Sequence, residues 1–402
     1  MHSLAPYIQH LRDVSGLPFY PWLFDFLLVL TFTLHILTVN LVVGGTLVLL
    51  WGRLFGGPYG LRLSRSLSRA LPITLSWVIV LGVAPLLFIQ VLYDPFWYFS
   101  NVVSAWWVLA FLALIALSFS LFYLYYLRGG YEGVGNPFWP FMAFFFLLVA
   151  AVIIHALSLQ ALHPEKWPAW AVRGGEEYQA GGKLFALSLP RLFHFLSASV
   201  AVTGVFLLFY ARYFRSRTEY EPEYLSWTAR TGARLAFIFS LLQAAVGIWW
   251  LLSLPAEFHF YTHPLFLLGA GFSLLFIIFL IFAQKNPEAY TGKLGVFLAA
   301  TVFFMSYARE ALRMEHLSRF GYSFSDYPVH PSWSSTALFL LTFIMGLVIL
   351  GYVGFVAYHA GKGKKEVGAH GWGRLSVALS WLWILVVVVI GLVISFKNGA
   401  LP

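Results

Sequence analysis

The chain has 402 residues, 60% of them hydrophobic and only 10% charged, with a formal net charge of +9. A soluble domain carries about a quarter charged residues, so this composition excludes a water-soluble globular protein and specifies a polytopic membrane protein. The lack of cysteine excludes disulfides, thiolate-held iron–sulfur clusters and covalently attached c-type haem. The positive charge belongs to loop arginines at lipid headgroups rather than to nucleic-acid binding.

At about 20 apolar residues per crossing, the sequence predicts an all-α transmembrane bundle of about ten helices. It reads as one integral membrane domain over 1–402. The stretch before Phe19 is polar and lacks the basic-then-apolar order of a cleavable signal. In chain order the spans are expected at about 22–51, 72–93, 101–127, 137–162, 188–212, 230–253, 263–284, 293–312, 333–358 and 374–396. Pro72, Pro137 and Pro264 fall at or just inside expected helix starts, where a missing N–H costs little. Gly56-Gly57-Pro58 and Gly129-Gly130 punctuate connections. Aromatic clusters such as Phe96-Trp97-Tyr98 and Trp249-Trp250 mark interfacial ends.

Alternate loops hold sixteen of the twenty-five lysines and arginines, among them Arg53, Arg62, Arg65, Arg69, Arg128, Arg212, Arg217, Lys285, Lys293, Lys362, Lys364 and Lys365. By the positive-inside rule these loops are cytoplasmic. A multi-pass protein of the cytoplasmic membrane, with both termini outside, is then expected.

The histidines are one-sided: ten of the twelve fall on the outer side of this map, leaving His359 and His370 in a lysine-bearing inner connection. His35, His155 and His194 lie within spans. At 1.5 Å per residue His35 is roughly 15 Å beyond Asp25, near the bilayer centre, and His155 about 12 Å before His163. His194 sits one turn inside Arg191. A buried imidazole is costly in lipid unless something uses it, and two imidazoles on different helices can clamp a haem iron without covalent attachment. A bond to a neighbouring helix would also account for each one singly. All sixteen carboxylates fall in loops or at helix ends, with Asp25, Asp94 and Glu310 borderline. The relay of a proton-coupled transporter is therefore not expected.

Four segments resemble the haem-bearing subunit of the cytochrome bd quinol oxidases. His35-Ile-Leu-Thr-Val-Asn-Leu-Val-Val-Gly44 resembles that family's first haem-ligand segment. Leu192-Phe-His194-Phe-Leu-Ser-Ala-Ser-Val-Ala-Val-Thr-Gly204 is similar to the segment with its low-spin haem histidine. Ala308-Arg309-Glu310 falls where the family has Gly-Arg-Gln, and Gly82 through Trp97 and Asn101 resembles its second helix and exit. The chain departs from the family where oxygen is reduced, since the glutamate places read Trp106 or Trp107, Leu114 and Ser306. The methionine place reads about Leu267, with His263 one turn earlier as a substitute ligand. The quinol loop shrinks to about Leu254–Thr262.

Together with the one-sided histidines, the resemblance implies one or two haem b groups, with His35 and His194 as ligands, His155 and His263 as candidates for the remaining axial positions, and the pairing open. It assigns Arg309 to a haem propionate. It also implies a membrane subunit passing electrons between quinol and a separate c-type cytochrome, or another redox subunit, on the outer face. Such a chain would not reduce oxygen by itself. A haem-free anchor or assembly subunit of a bd-like respiratory complex is the alternative. Two segments stay open: Arg309–His316 as a solvated helix end or a docking site, and His163–Trp170 as an interfacial loop or a quinol pocket wall.

Overall fold

The structure, a computed structural model, describes residues 5–173, 176–177, 181–361 and 371–397. Among these, ten helices are long and apolar enough to cross a membrane, and the chain is a multi-pass helical membrane protein. After a short helix α1 (Ala5–His10) come α2 (Pro21–Leu54), α3 (Gly57–Leu92), α4 (Asp94–Val103) and α5 (Ala105–Tyr125). Helices α6 (Phe138–Gln160), α7 (Trp167–Ala171), α8 (Leu189–Phe214), α9 (Pro222–Leu252) and α10 (Pro264–Ala283) follow. The series ends with α11 (Pro287–Ser318), α12 (Trp333–Gly361) and α13 (Gly371–Lys397). A two-residue antiparallel ladder pairs Val172–Arg173 with Glu176–Glu177, an addition to the all-α expectation. The connection with Lys362, Lys364, Lys365 and His370 lies outside the described residues.

Two expected boundaries are corrected. Pro72 does not start a span: α3 begins at Gly57 and carries Pro72 and Pro85 in its interior. Membrane helices tolerate interior proline where neighbouring groups take up the freed backbone positions. The expected 101–127 span breaks at Ser104, which leaves helical geometry at φ −127°, ψ 33°. The segment at 181–183 satisfies the break: Trp106 N donates to the Gly181 carbonyl at 3.2 Å and Ser104 Oγ to the Lys183 carbonyl at 2.7 Å. Gly129, at φ 83°, turns the chain after α5, as the Gly-Gly pair predicts.

The contacts group into two compact units. The larger comprises residues 1–16, 20–212 and 221–328. Its helices approach closely through small residues, because apolar lipid gives helices no hydrophobic reason to associate and tight packing must supply it. A Cβ at Gly44 of α2 would come within 2.1 Å of the Ser199 carbonyl oxygen of α8. One at Gly204 would lie 2.6 Å from the Gly232 carbonyl of α9. Between α2 and α8 the Ser199 hydroxyl donates to Asn40 Oδ1 at 3.0 Å. The smaller unit holds Leu17–Phe19, Tyr213–Tyr220 and the chain from Val329. Within it Tyr213 OH donates to the Tyr358 carbonyl at 2.6 Å, and Trp372 Nε1 to the Val348 carbonyl at 3.3 Å.

Candidate functional site

Within the larger unit a cavity of about 370 Å³ lies among α2, α8, α9, α10 and α11. Its walls are mostly apolar, and Phe32, Ala198, Gly247 and Trp250 line it together with His194, Met305 and Arg309. Helix α8 is among the most buried spans, because Ser197, Ala198, Ser199 and Gly204 let its neighbours close in.

His194 Nδ1 is buried outside full hydrogen-bond geometry, with the Gln243 main chain as a weak backbone partner of the ring. Trp250 packs against the imidazole at 5.5 Å between ring centroids. A Cβ at Gly247 would sit 3.2 Å from Nδ1, so glycine leaves that edge of the ring uncovered. On α11 the Arg309 guanidinium lies over the Phe32 ring at 3.5 Å. One of its nitrogens donates to Glu310 Oε1 at 2.7 Å, and Nε is buried without a partner. Met305 stands one turn before Arg309 on the same face, in contact with Gly269 of α10.

The other three histidines singled out by the sequence are not in the cavity wall. His35 Nδ1–H donates to the Val78 carbonyl at 3.1 Å, with the ring seated against Gly82. That bond leaves Nε2 as the lone-pair nitrogen, the arrangement that orients a ligating imidazole. His155 Nε2 accepts the Ser188 N–H at 3.3 Å and so pins the chain entering α8. His263 caps α10 by accepting the Leu265 N–H at 3.3 Å, and stacks on Phe260 at 5.4 Å. Among the described residues no three of His, Cys, Asp and Glu come together as a metal-binding group. A site here would rest on one imidazole plus a different donor.

One reading of the polar segments changes. Glu310 is 3% exposed and bridges Arg309 and Arg313, each at 2.7 Å, so the first turn of Arg309–His316 is a buried ionic knot and not a solvated helix end. His163–Trp170 is a packed loop, the first of its two readings. Trp167 is buried, stacks on Phe99 at 4.1 Å and donates from Nε1 to the Gln160 carbonyl at 3.3 Å.

Sequence reasoning missed three features. Met305 carried a signal, being one of only five methionines and four residues before Arg309. Arg191 is 6% exposed, with its guanidinium over Trp250 at 5.9 Å and Nε lacking a partner. Asp94, outside the spans, is buried and accepts from the Tyr327 hydroxyl and from the Asp13 N–H. Burial raises its carboxyl above the ordinary value, against the lowering pull of those two bonds. Its neighbours Tyr322 and Tyr327 are also pushed up, chiefly by burial.

No family model and no curated protein matches the chain. Among solved structures, the bd oxidase of Geobacillus thermodenitrificans superimposes at a TM-score of 0.64 with 14% identity, covering 87% of this chain and 100% of that one. The class is thus a polytopic helical membrane protein. Its particular fold is the one seen in that bd oxidase.

Proposed function

We propose that the chain is a haem b membrane subunit that passes electrons between quinol and a c-type cytochrome on the outer face. The observation carrying this reading is the buried His194 imidazole in the wall of a cavity that Arg309 also lines. The residues fit the group in chemical character. An imidazole supplies a ligand nitrogen, the Met305 thioether is a second donor type found on haem iron, and a guanidinium suits a propionate. When bound, haem b would supply one-electron transfer. The protein's part is to exclude water with Phe32 and Trp250, and to orient the ligand through the small residues of α8 and α9.

A bound quinol would be an outside electron source, and the acceptor a separate protein, since the chain has no cysteine for a covalent haem. Oxygen reduction is not part of the proposal. Leu114 and Ser306 occupy places where the resemblance would require carboxylates, and Ser306 spends its hydroxyl on the Val302 carbonyl at 2.7 Å.

A haem-free anchor of a bd-like complex is the second reading, favoured by His35, His155 and His263, which all hydrogen-bond within the protein. The purified protein separates the two. Dithionite-minus-oxidised spectra with haem b Soret and alpha bands, lost in His194→Ala while the protein still elutes as a folded species, support the haem reading. A colourless wild-type protein from haem-replete cells overturns it.

A further inference from the structure

The structure points to a second anchoring group for the cavity's ligand: we infer that Arg191 is the docking residue for a carboxylate of that ligand. The inference rests on the haem reading and extends it to a residue that the resemblance leaves without a role. Arg191 is 94% buried by the exposure given above, yet Nε has no partner and no carboxylate pairs with it among the described residues. Its guanidinium lies over Trp250, a cavity wall, and it precedes His194 by three residues, which places both on one face of α8.

The local charge balance sharpens the point. The charges that Arg191 senses are Arg309, Arg313 and Glu310, and Glu310 is already committed to both of those arginines at 2.7 Å. Three guanidinium groups therefore share one buried carboxylate, with Asp25 near Glu310 and Arg313. On the other side Arg191 faces His155 and His316, neither of which is an anion. A buried charge without a counter-ion is among the costliest arrangements a protein can hold. An incoming carboxylate resolves it, and a planar guanidinium is the side chain best shaped to receive one.

Haem propionate and a free anion share this carboxylate chemistry, and the test separates them. The full-length protein and its Arg191→Gln and Arg191→Lys variants are loaded with haem b or with its dimethyl ester, whose carboxylates are masked. Retention is read by absorbance, and folding by circular dichroism and elution. In wild type, esterification should weaken binding about tenfold or more, as loss of a buried charge-assisted pair does. In Arg191→Gln the preference for the free acid should shrink to the part that Arg309 still supplies, and Arg191→Lys should restore part of the loss. Equal discrimination in wild type and Arg191→Gln overturns the inference.

If folded wild type retains neither porphyrin, the haem reading fails on its own. The docking residue is then judged by thermal melting of the ligand-free protein with sodium propionate against sodium chloride. Stabilisation by propionate in wild type that is lost in Arg191→Gln upholds a carboxylate site filled by a free anion. No difference between the two proteins overturns it.

Discussion

Glu310 neutralises two arginines at once from the interior of α11. Removing one member of a buried ionic set leaves the other charges unpaired, which costs more than the set contributes. Glu310→Gln should therefore lose about 3–5 kcal/mol, measured as a lower thermal midpoint in detergent, with Glu310→Asp less affected. Asp94, outside the spans, yields a pH prediction. Its folded carboxyl is raised, mainly by burial, so its stabilising contribution is complete below its unfolded value of about 4. That contribution is lost as pH rises through the folded value. Asp13 runs the other way, lowered by its Ser15 hydrogen bonds, but it is exposed and contributes little. The drop in melting temperature from acid to neutral pH should then be smaller in Asp94→Asn than in wild type. Parallel curves for the two proteins would refute this.

At the scale of elements, helix contact is set by where side chains are missing. Gly44→Ala would drive a methyl to within 2.1 Å of the Ser199 carbonyl. Backbone cannot step aside as a flexible side chain can, so α2 and α8 must separate, at about 1–3 kcal/mol. Gly271→Ala on α10 is the control, since a Cβ there meets nothing within 4 Å. It should hold or raise the melting temperature, because alanine is the better helix former.

The same elements show what the sequence makes legible. Runs of about 20 apolar residues announce all ten crossings, because the bilayer imposes that length. Their ends are blurred: α11 continues to Ser318 past an expected 312, since charged residues at a helix end can stay helical once buried partners pair them. Pro72 misleads because a membrane helix can carry a proline in its interior, as α3 does. The site is only half legible. His194 is visible as a polar residue in apolar surroundings and Arg309 through the resemblance of Ala308-Arg309-Glu310, but helix rotation is not visible. Hence His35, which faces Val78, cannot be told apart from a residue facing the cavity, and Met305 gives no sign that it lines the cavity with Arg309.

For the whole molecule, the fold matches that of a bd oxidase at 14% identity, while chemistry is decided by a few side chains whose depth depends on orientation. The lysine and arginine asymmetry predicts both termini outside. The His163–Trp170 loop would then face outward, and the turn at Arg128-Gly129 and the Tyr213–Tyr220 segment inward. Because His194 lies five residues into α8 and Arg309 nine before the end of α11, the polar end of the cavity would sit in the outer half of the bilayer. On the proposed function a hop from there to an outer cytochrome would be short, and quinol oxidation would release protons outside. The absence of cysteine makes the test clean, since a single introduced thiol is the only one present. In intact cells a membrane-impermeant maleimide should label Glu165→Cys and leave Arg128→Cys and Arg217→Cys unlabelled until the membrane is opened. Labelling of Arg217→Cys from outside, with Glu165→Cys protected, would invert the molecule and place the cavity on the cytoplasmic side, where an outer cytochrome could not reach it.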